Sequence, residues 1–248
     1  MNKLTYGIAI YVEDSGETYH TLNDWDLALG NNNYIGDPEM ETTYIQVPGR
    51  SGLIDATEAI SGRRIYKKRP LKFELGGIRD RLDWDSVISA FRNNVDGRVC
   101  RLTLDNDKRY YWRGRAYIKG FDRFRELGTF TLAVPMADPY KYSITTSAEP
   151  WLWDPFNFET DMITYIGAIT VVESETVTIP HGHMATSPEL VVSDMTSQTF
   201  TITVNGVTYP LTVGTNRIPS IIVGGDSDVD LTFTGDAKVQ IVYRSGSL

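Results

Sequence analysis

Three aspartates at alternate positions, Asp226, Asp228 and Asp230, begin like a calcium loop, in which spaced carboxylates open the coordination sphere. Leu231 then stands where that loop requires glycine, and Ala237 where it requires the bidentate glutamate, so a polar turn entering a strand is the better reading. His181-Gly182-His183 offers two imidazoles, but neither a thiol nor a carboxylate accompanies them locally. The chain holds three histidines in all, which leaves little material for acid–base work, and it contains no G-x-S-x-G elbow, P-loop or dinucleotide fingerprint. Asp105 and Asp107 flank a turn, where aspartate is favoured because its carboxylate binds nearby backbone N–H groups. A glycosidase pair is the weaker reading. Catalysis finds no support in these sets, and no cofactor or metal site is expected.

The basic and aromatic residues are the stronger candidates for a functional surface. Arg63, Arg64, Lys67, Lys68 and Arg69 crowd into seven positions, and Arg109 to Lys119 reads as a strand with two contrasting faces. One face holds Tyr110, Trp112, Ala116 and Ile118, and the other Arg109, Tyr111, Arg113, Arg115, Tyr117 and Lys119. Such a face can dock an acidic protein, lie in solvent, or grip nucleic acid by charge and stacking. Local acidic residues weigh against the last: residues 1–140 carry 20 Lys+Arg and 20 Asp+Glu, while residues 141–248 carry 4 and 12. The whole excess of eight negative charges (4 − 12 = −8) thus belongs to the second half, which is poorly suited to phosphate backbones.

The elements that must carry these residues are mostly strands. Leu4 to Val12 alternate in hydrophobicity, unlike the continuous apolar run of a signal peptide, which argues against Sec export, and no segment approaches a membrane span. Trp25, Leu27 and Leu29 suggest a short strand, 30–41 a loop, and Thr43 to Val47 a further strand ending at Pro48-Gly49, a pair suited to a type II turn. Leu71, Phe73 and Leu75 form a half-buried strand, which Pro70 assigns to an edge or a bulge. One helix is expected, where Trp84, Val87, Ile88, Phe91 and Val95 recur at helical spacing between Asp83 and Gly97. Arg101 to Asp105 and the strand from Arg109 form a hairpin, and Phe130, Leu132 and Val134 a further strand. Beyond a boundary in Pro139 to Pro155, short Val/Ile/Thr runs continue to the end. The Asn205-Gly206 hairpin, Ile221 to Val223, Val229 to Phe233 and Val239 to Tyr243 indicate a β-sandwich. The single cysteine, Cys100, excludes an intramolecular disulfide and suits a reducing compartment.

Several segments in this order carry a resemblance. They are His20-Thr21 with Asp24-Trp25, then YIQVPGRSGLIDATEAISG from Tyr44 to Gly62, and YKKRPLKF from Tyr66 to Phe73. The helix opening at Trp84, Gly97-Arg98, Gly114-Arg115 and ADPYKY from Ala137 to Tyr142 follow. Over roughly residues 15 to 143 the chain resembles the distal tail proteins of siphophages that infect Gram-positive hosts. It departs from that pattern at Ser51, often acidic, and at Ala56, often leucine.

The resemblance implies a mainly β chain. An N-terminal split β-barrel or sandwich belt domain with one α-helix (1–140) would precede a C-terminal galectin-like β-sandwich (141–248). It further implies a non-enzymatic virion protein, assembled in the bacterial host cytoplasm. Six copies would form a hub ring at the tail tip, between the major tail tube protein and the tail-associated lysin or spike, with receptor-binding proteins as further partners. The expected subunit or partner interface comprises Pro48, Gly49, Arg50, Arg63, Arg64, Lys67, Lys68, Arg69, Arg113 and Arg115. Neither sequence-specific nucleic acid nor membrane is an expected partner. A rival reading, a carbohydrate-binding module, rests on the second domain and on Trp151 and Trp153, which more readily pack at the domain junction.

Overall fold

A computed structural model describes residues 6–59, 61–79, 83–124, 126–150 and 165–248. The chain divides into two compact units, Met1–Lys141 and Tyr142–Leu248. The first holds β1 (Ile8–Val12), β2 (Thr18–His20), α1 (Thr21–Trp25), β3 (Ala28–Leu29), β4 (Tyr34–Ile35), β5 (Tyr44–Gln46) and β6 (Leu53–Asp55). It continues with β7 (Arg69–Ile78), α2 (Asp83–Val95), β8 (Val99–Leu104), β9 (Tyr110–Arg115), β10 (Tyr117–Phe124) and β11 (Leu127–Ala137). After β12 (Lys141–Ser143), the second unit holds β13 (Ala168–Val171), β14 (Ser174–Ile179), β15 (Glu189–Ser193), β16 (Phe200–Val204) and β17 (Val207–Leu211). The chain ends with β18 (Gly214–Arg217), β19 (Val229–Thr234), β20 (Ala237–Val242) and β21 (Gly246–Ser247).

Two open antiparallel sheets build the first unit, one in the order β2-β1-β8-β9 and one in the order β10-β11-β7-β3, with β4 also on β7. Alternation along β1 and β7 sends Ile8, Ile10, Val12, Leu71, Phe73 and Leu75 into one shared core. Helix α2 covers it with the apolar stripe its spacing prescribes: Trp84, Ile88, Phe91 and Val95 are buried, and Phe91 meets Phe130 edge-on at 5.2 Å. Pro70 sits opposite a bulge. Val134 pairs with Leu71 and Ala137 with Arg69, so β11 takes three steps where β7 takes two, and the ladder loosens where proline has no N–H to give.

Several local expectations are corrected. The segment expected as a strand around Trp25 begins as α1, because the His20 ring Nδ1 accepts from the Asn23 N–H (3.3 Å) and the Asp24 carboxylate accepts from the His20 N–H (2.6 Å). The described residues of the unit therefore hold two helices. The segment 30–41, expected as loop, contains β4 and a bridge from Met40 to Tyr66. The strand expected from Arg109 to Lys119 is in fact two strands in different sheets. Gly114 lets β9 cross tightly over β11, since a Cβ there would lie 2.4 Å from Val134 Cγ1. The chain then turns at buried Ala116, whose N–H and C=O bond to Arg98 and Gly97. Tyr111, assigned to the wet face, is buried like its neighbour Trp112 and lies beneath the Arg101 guanidinium, 5.2 Å from the ring centroid.

Cys100 is buried in β8; burial pushes its thiol up to about 12, and its Sγ lies 3.6 Å from the Arg98 carbonyl. Asp105 serves the fold rather than chemistry. Its two oxygens take the Gly7 N–H at 2.6 Å and the His20 Nε2–H at 3.1 Å, and although burial opposes it, these bonds hold the carboxyl below its usual range.

The second unit pairs a sheet in the order β13-β20-β15-β18 with one in the order β14-β19-β16-β17 around a core that includes Phe200, Ile202, Leu231, Phe233, Val239 and Ile241. Asn205 and Gly206, at φ 49° and 79°, make the type I′ turn between β16 and β17. Outward, Thr176, Thr232, Thr203 and Thr208 lie in one row across four strands, the outer pairs joined by hydroxyl bonds of 3.0 and 2.8 Å. Ile221 to Val223 is a buried bridge segment rather than a strand. The buried Ser147 hydroxyl donates to Ile241 O and accepts from Tyr243 N–H, both at 2.8 Å.

Candidate functional site

Asp228, Asp230 and His181, among the residues of catalytic or metal-binding type, are engaged in structural bonds. Asp228 accepts from the His181 N–H at 2.7 Å and pairs with its ring Nδ1 at 2.8 Å, and Asp230 accepts from the Thr178 hydroxyl at 2.6 Å. No group of three metal-ligating side chains occurs among the described residues. Trp151 and Trp153 lie outside the described residues. Two surfaces of the first unit remain as candidates.

The first is a hairpin arm. Its root follows the edge of β7: Gly36 N–H donates to Pro70 O, Lys67 N–H to Glu39 O, and Glu41 N–H to Ile65 O, each at 2.8 Å. Among the described residues, strands β5 and β6 then pair only with each other. The Arg50 N–H closes on Val47 O at 3.1 Å, and Gly49 takes φ 82°, the positive value that position requires in a type II turn after Pro48. Ile45 pairs with Ile54 on one face of the ribbon, while Tyr44 and Leu53 occupy the other. Tyr44, Ile45 and Leu53 are 55%, 50% and 58% exposed. A two-stranded ribbon with apolar residues on both faces is marginal alone in water, so its sequence suits a covering surface.

The second is a cleft of about 680 Å³ where β9 passes into β10 beside the β11 bulge. Lys68, Arg113, Arg115, Lys119, Met136 and Asp138 stand on its walls. Glu13 organises one side. Its carboxylate takes Arg113 in two bonds (2.9 and 2.8 Å) and Arg101 in one (2.9 Å), and Asp138 bridges Arg113 at 3.5 Å to Lys68 at 3.2 Å. Chiefly because of the Arg113 bond, and in spite of partial burial, the Glu13 carboxyl lies below its ordinary 4.5. Its contribution to stability is therefore complete above that value and disappears as pH falls through the lowered one. Glu13→Gln should flatten the fall of the urea midpoint between about pH 5 and pH 3. Parallel curves for variant and parent would remove Glu13 from the acid response.

The ten residues expected at an interface do not form one site. Pro48, Gly49 and Arg50 make the exposed tip of the arm. Lys68, Arg113 and Arg115 meet in the cleft, whose walls do not include Arg63, Arg64 or Lys67. Arg63 is half-buried, with its backbone tied to the Ser61 hydroxyl, and Lys67 lies 3.9 Å from Glu39. Arg69 requires correction as a surface cation. It is 4% exposed, its guanidinium lies 4.3 Å from the Trp112 ring centroid and donates to Gly36 O, and burial lowers its pKa. Met136, Asp138 and the apolar residues of the arm were not anticipated, because nothing in a short alternating run tells a covered strand from an uncovered one.

No protein-family model matches the chain, and no curated protein does. Among solved structures, the chain is similar to the crystal structure of SPP1 Dit (gp 19.1), described as a paradigm of hub adsorption apparatus in Gram-positive infecting phages. The TM-score is 0.59 at 13% identity, over 98% of this chain and 99% of that one, so the two share a fold. The structure of the phage P2 baseplate in its activated conformation with calcium is matched more loosely, at TM-score 0.42 and 9% identity over 96% and 98% of the two chains.

Proposed function

We propose that this chain is a structural protein of a phage tail tip, a distal tail hub rather than an enzyme. The observation that carries the reading is the likeness in fold to SPP1 Dit, which runs through both units from end to end. On this reading the first unit is the ring-forming belt and the second a galectin-like sandwich. Six copies close a ring between the tail tube protein and the tail-associated lysin or spike, with receptor-binding proteins outside it, and the ring is assembled in the host cytoplasm as part of the virion.

Ring closure needs heterologous contacts, one surface of a copy meeting a different surface of the next. The β5–β6 arm supplies an uncovered apolar element for one half. A candidate for the other is the row Ile78, Leu127 and Phe124, three exposed apolar residues in register across β7, β11 and β10. Native mass spectrometry of the purified chain, alone and with tail-tube and lysin proteins, should give a species of six subunit masses, and negative-stain images should show rings. A monomer under all of these conditions would overturn the reading.

A further inference from the structure

The cleft beside the β11 bulge has a charge that the rest of the molecule does not share. Four cations on its walls, Lys68, Arg113, Arg115 and Lys119, face one carboxylate, Asp138 (4 − 1 = +3), in a chain whose formal charge is −8. Lys68 and Arg113 are already bound to Asp138, and Arg113 also to Glu13. Arg115 is held by the Gly97 carbonyl, and neither it nor Lys119 has an ion pair among the described residues. Both are exposed. Val99, Tyr117, Pro135 and Met136 give the same cleft an apolar side, and Met136 is 61% exposed.

A small inorganic anion would use the cations and leave that apolar surface wet. A nucleic-acid strand would meet the Asp138 carboxylate and a strongly acidic molecule, with only Arg115 and Lys119 of the cleft cations outside ion pairs among the described residues to hold its phosphates. A polypeptide segment that carries carboxylates and apolar side chains together satisfies both parts, through charge complementarity at the rim and burial on the floor.

We infer that this cleft docks an acidic, extended segment of a partner polypeptide, with Arg115 and Lys119 pairing with its carboxylates and Met136 covering its apolar side chains. This goes beyond the ring reading and does not depend on it, since a single copy contains the whole cleft.

The experiment titrates the full chain into a fluorescein-labelled octapeptide, Glu-Ala-Glu-Leu repeated twice, at low salt, with anisotropy as the readout and sedimentation velocity on the same samples. Saturable binding is expected, weakened about tenfold by Arg115→Glu with Lys119→Glu, each rim pair contributing a few-fold. A lysine version of the peptide should not bind. Met136→Ser, which leaves every charge in place, should weaken binding about threefold through lost apolar contact. Absence of binding, or equal binding by the charge-reversed chain, overturns the inference. Tighter binding of an octathymidylate than of the peptide reassigns the cleft to phosphate. Self-association of the parent that vanishes with the double variant, in the absence of peptide binding, reassigns it to a second copy.

Discussion

A chain carrying Ile45→Asp and Leu53→Asp is expected to fold as the parent does and to lose ring assembly. The two positions lie on opposite faces of the β5–β6 ribbon and are about half exposed, so the isolated fold should change by no more than about 0.5 kcal/mol. In an assembled contact both side chains would be covered. Removing two apolar groups of this size, each already half-buried, forfeits about 2 kcal/mol per contact, and two buried unpaired carboxylates cost more. The association constant of each contact should therefore fall more than about a hundredfold. Native mass spectrometry and circular dichroism together make the check: a monomer with the parental spectrum and melting curve is the expected outcome. A variant that still assembles at parental concentration would remove the arm from the contact, and the register row of Ile78, Leu127 and Phe124 would become the first surface to test.

Trp84→Ala should be the most damaging single change to the first unit, at about 3–5 kcal/mol. The indole is fully buried at the start of α2, lies 5.7 Å from the Phe121 ring, and donates its Nε1–H to the Glu126 carbonyl at 2.9 Å. Truncation opens a cavity beneath the helix and removes one of the two donors to that carbonyl, leaving it the Arg79 N–H at 3.1 Å. Urea unfolding followed by far-UV circular dichroism gives the magnitude, and a loss below about 1 kcal/mol would mean that the helix and sheet close over the gap.

Much of this fold can be read from residue spacing, and the failures have physical causes. Helix α2 is legible because Trp84, Ile88, Phe91 and Val95 repeat at its period and Gly97 follows with φ 74°. Val47 to Arg50 and Asn205-Gly206 are legible because few residue pairs fit those turns. Pro70 announced an edge or bulge correctly, since a missing N–H must be accommodated somewhere. Helix α1 is hidden because it is five residues long and capped by a histidine ring. The corner at Ala116 is hidden because apolar alternation continues straight through it, while what marks it is the backbone bonding of Ala116 to Arg98 and Gly97 and the close crossing at Gly114, where a Cβ would meet Val134. Much the same holds for the cleft: Lys68, Arg115 and Met136 are far apart in sequence and meet only through the β7–β11 ladder and the crossing of β9. The basic run from Arg63 to Arg69 looked uniform in sequence, yet its members range from an exposed lysine to an arginine stacked inside on Trp112.

The burial of Cys100 bears on how copies of this chain behave when crowded together. Thiol exchange proceeds through the thiolate and needs a line of approach to sulfur. With its proton retained up to about 12 and no accessible surface, this sulfur offers neither. Copies held at high concentration should then pass from reducing to oxidising solution without acquiring disulfide links through this sulfur. Any association between them would then rest on reversible surface contact, with a strength that dilution can read.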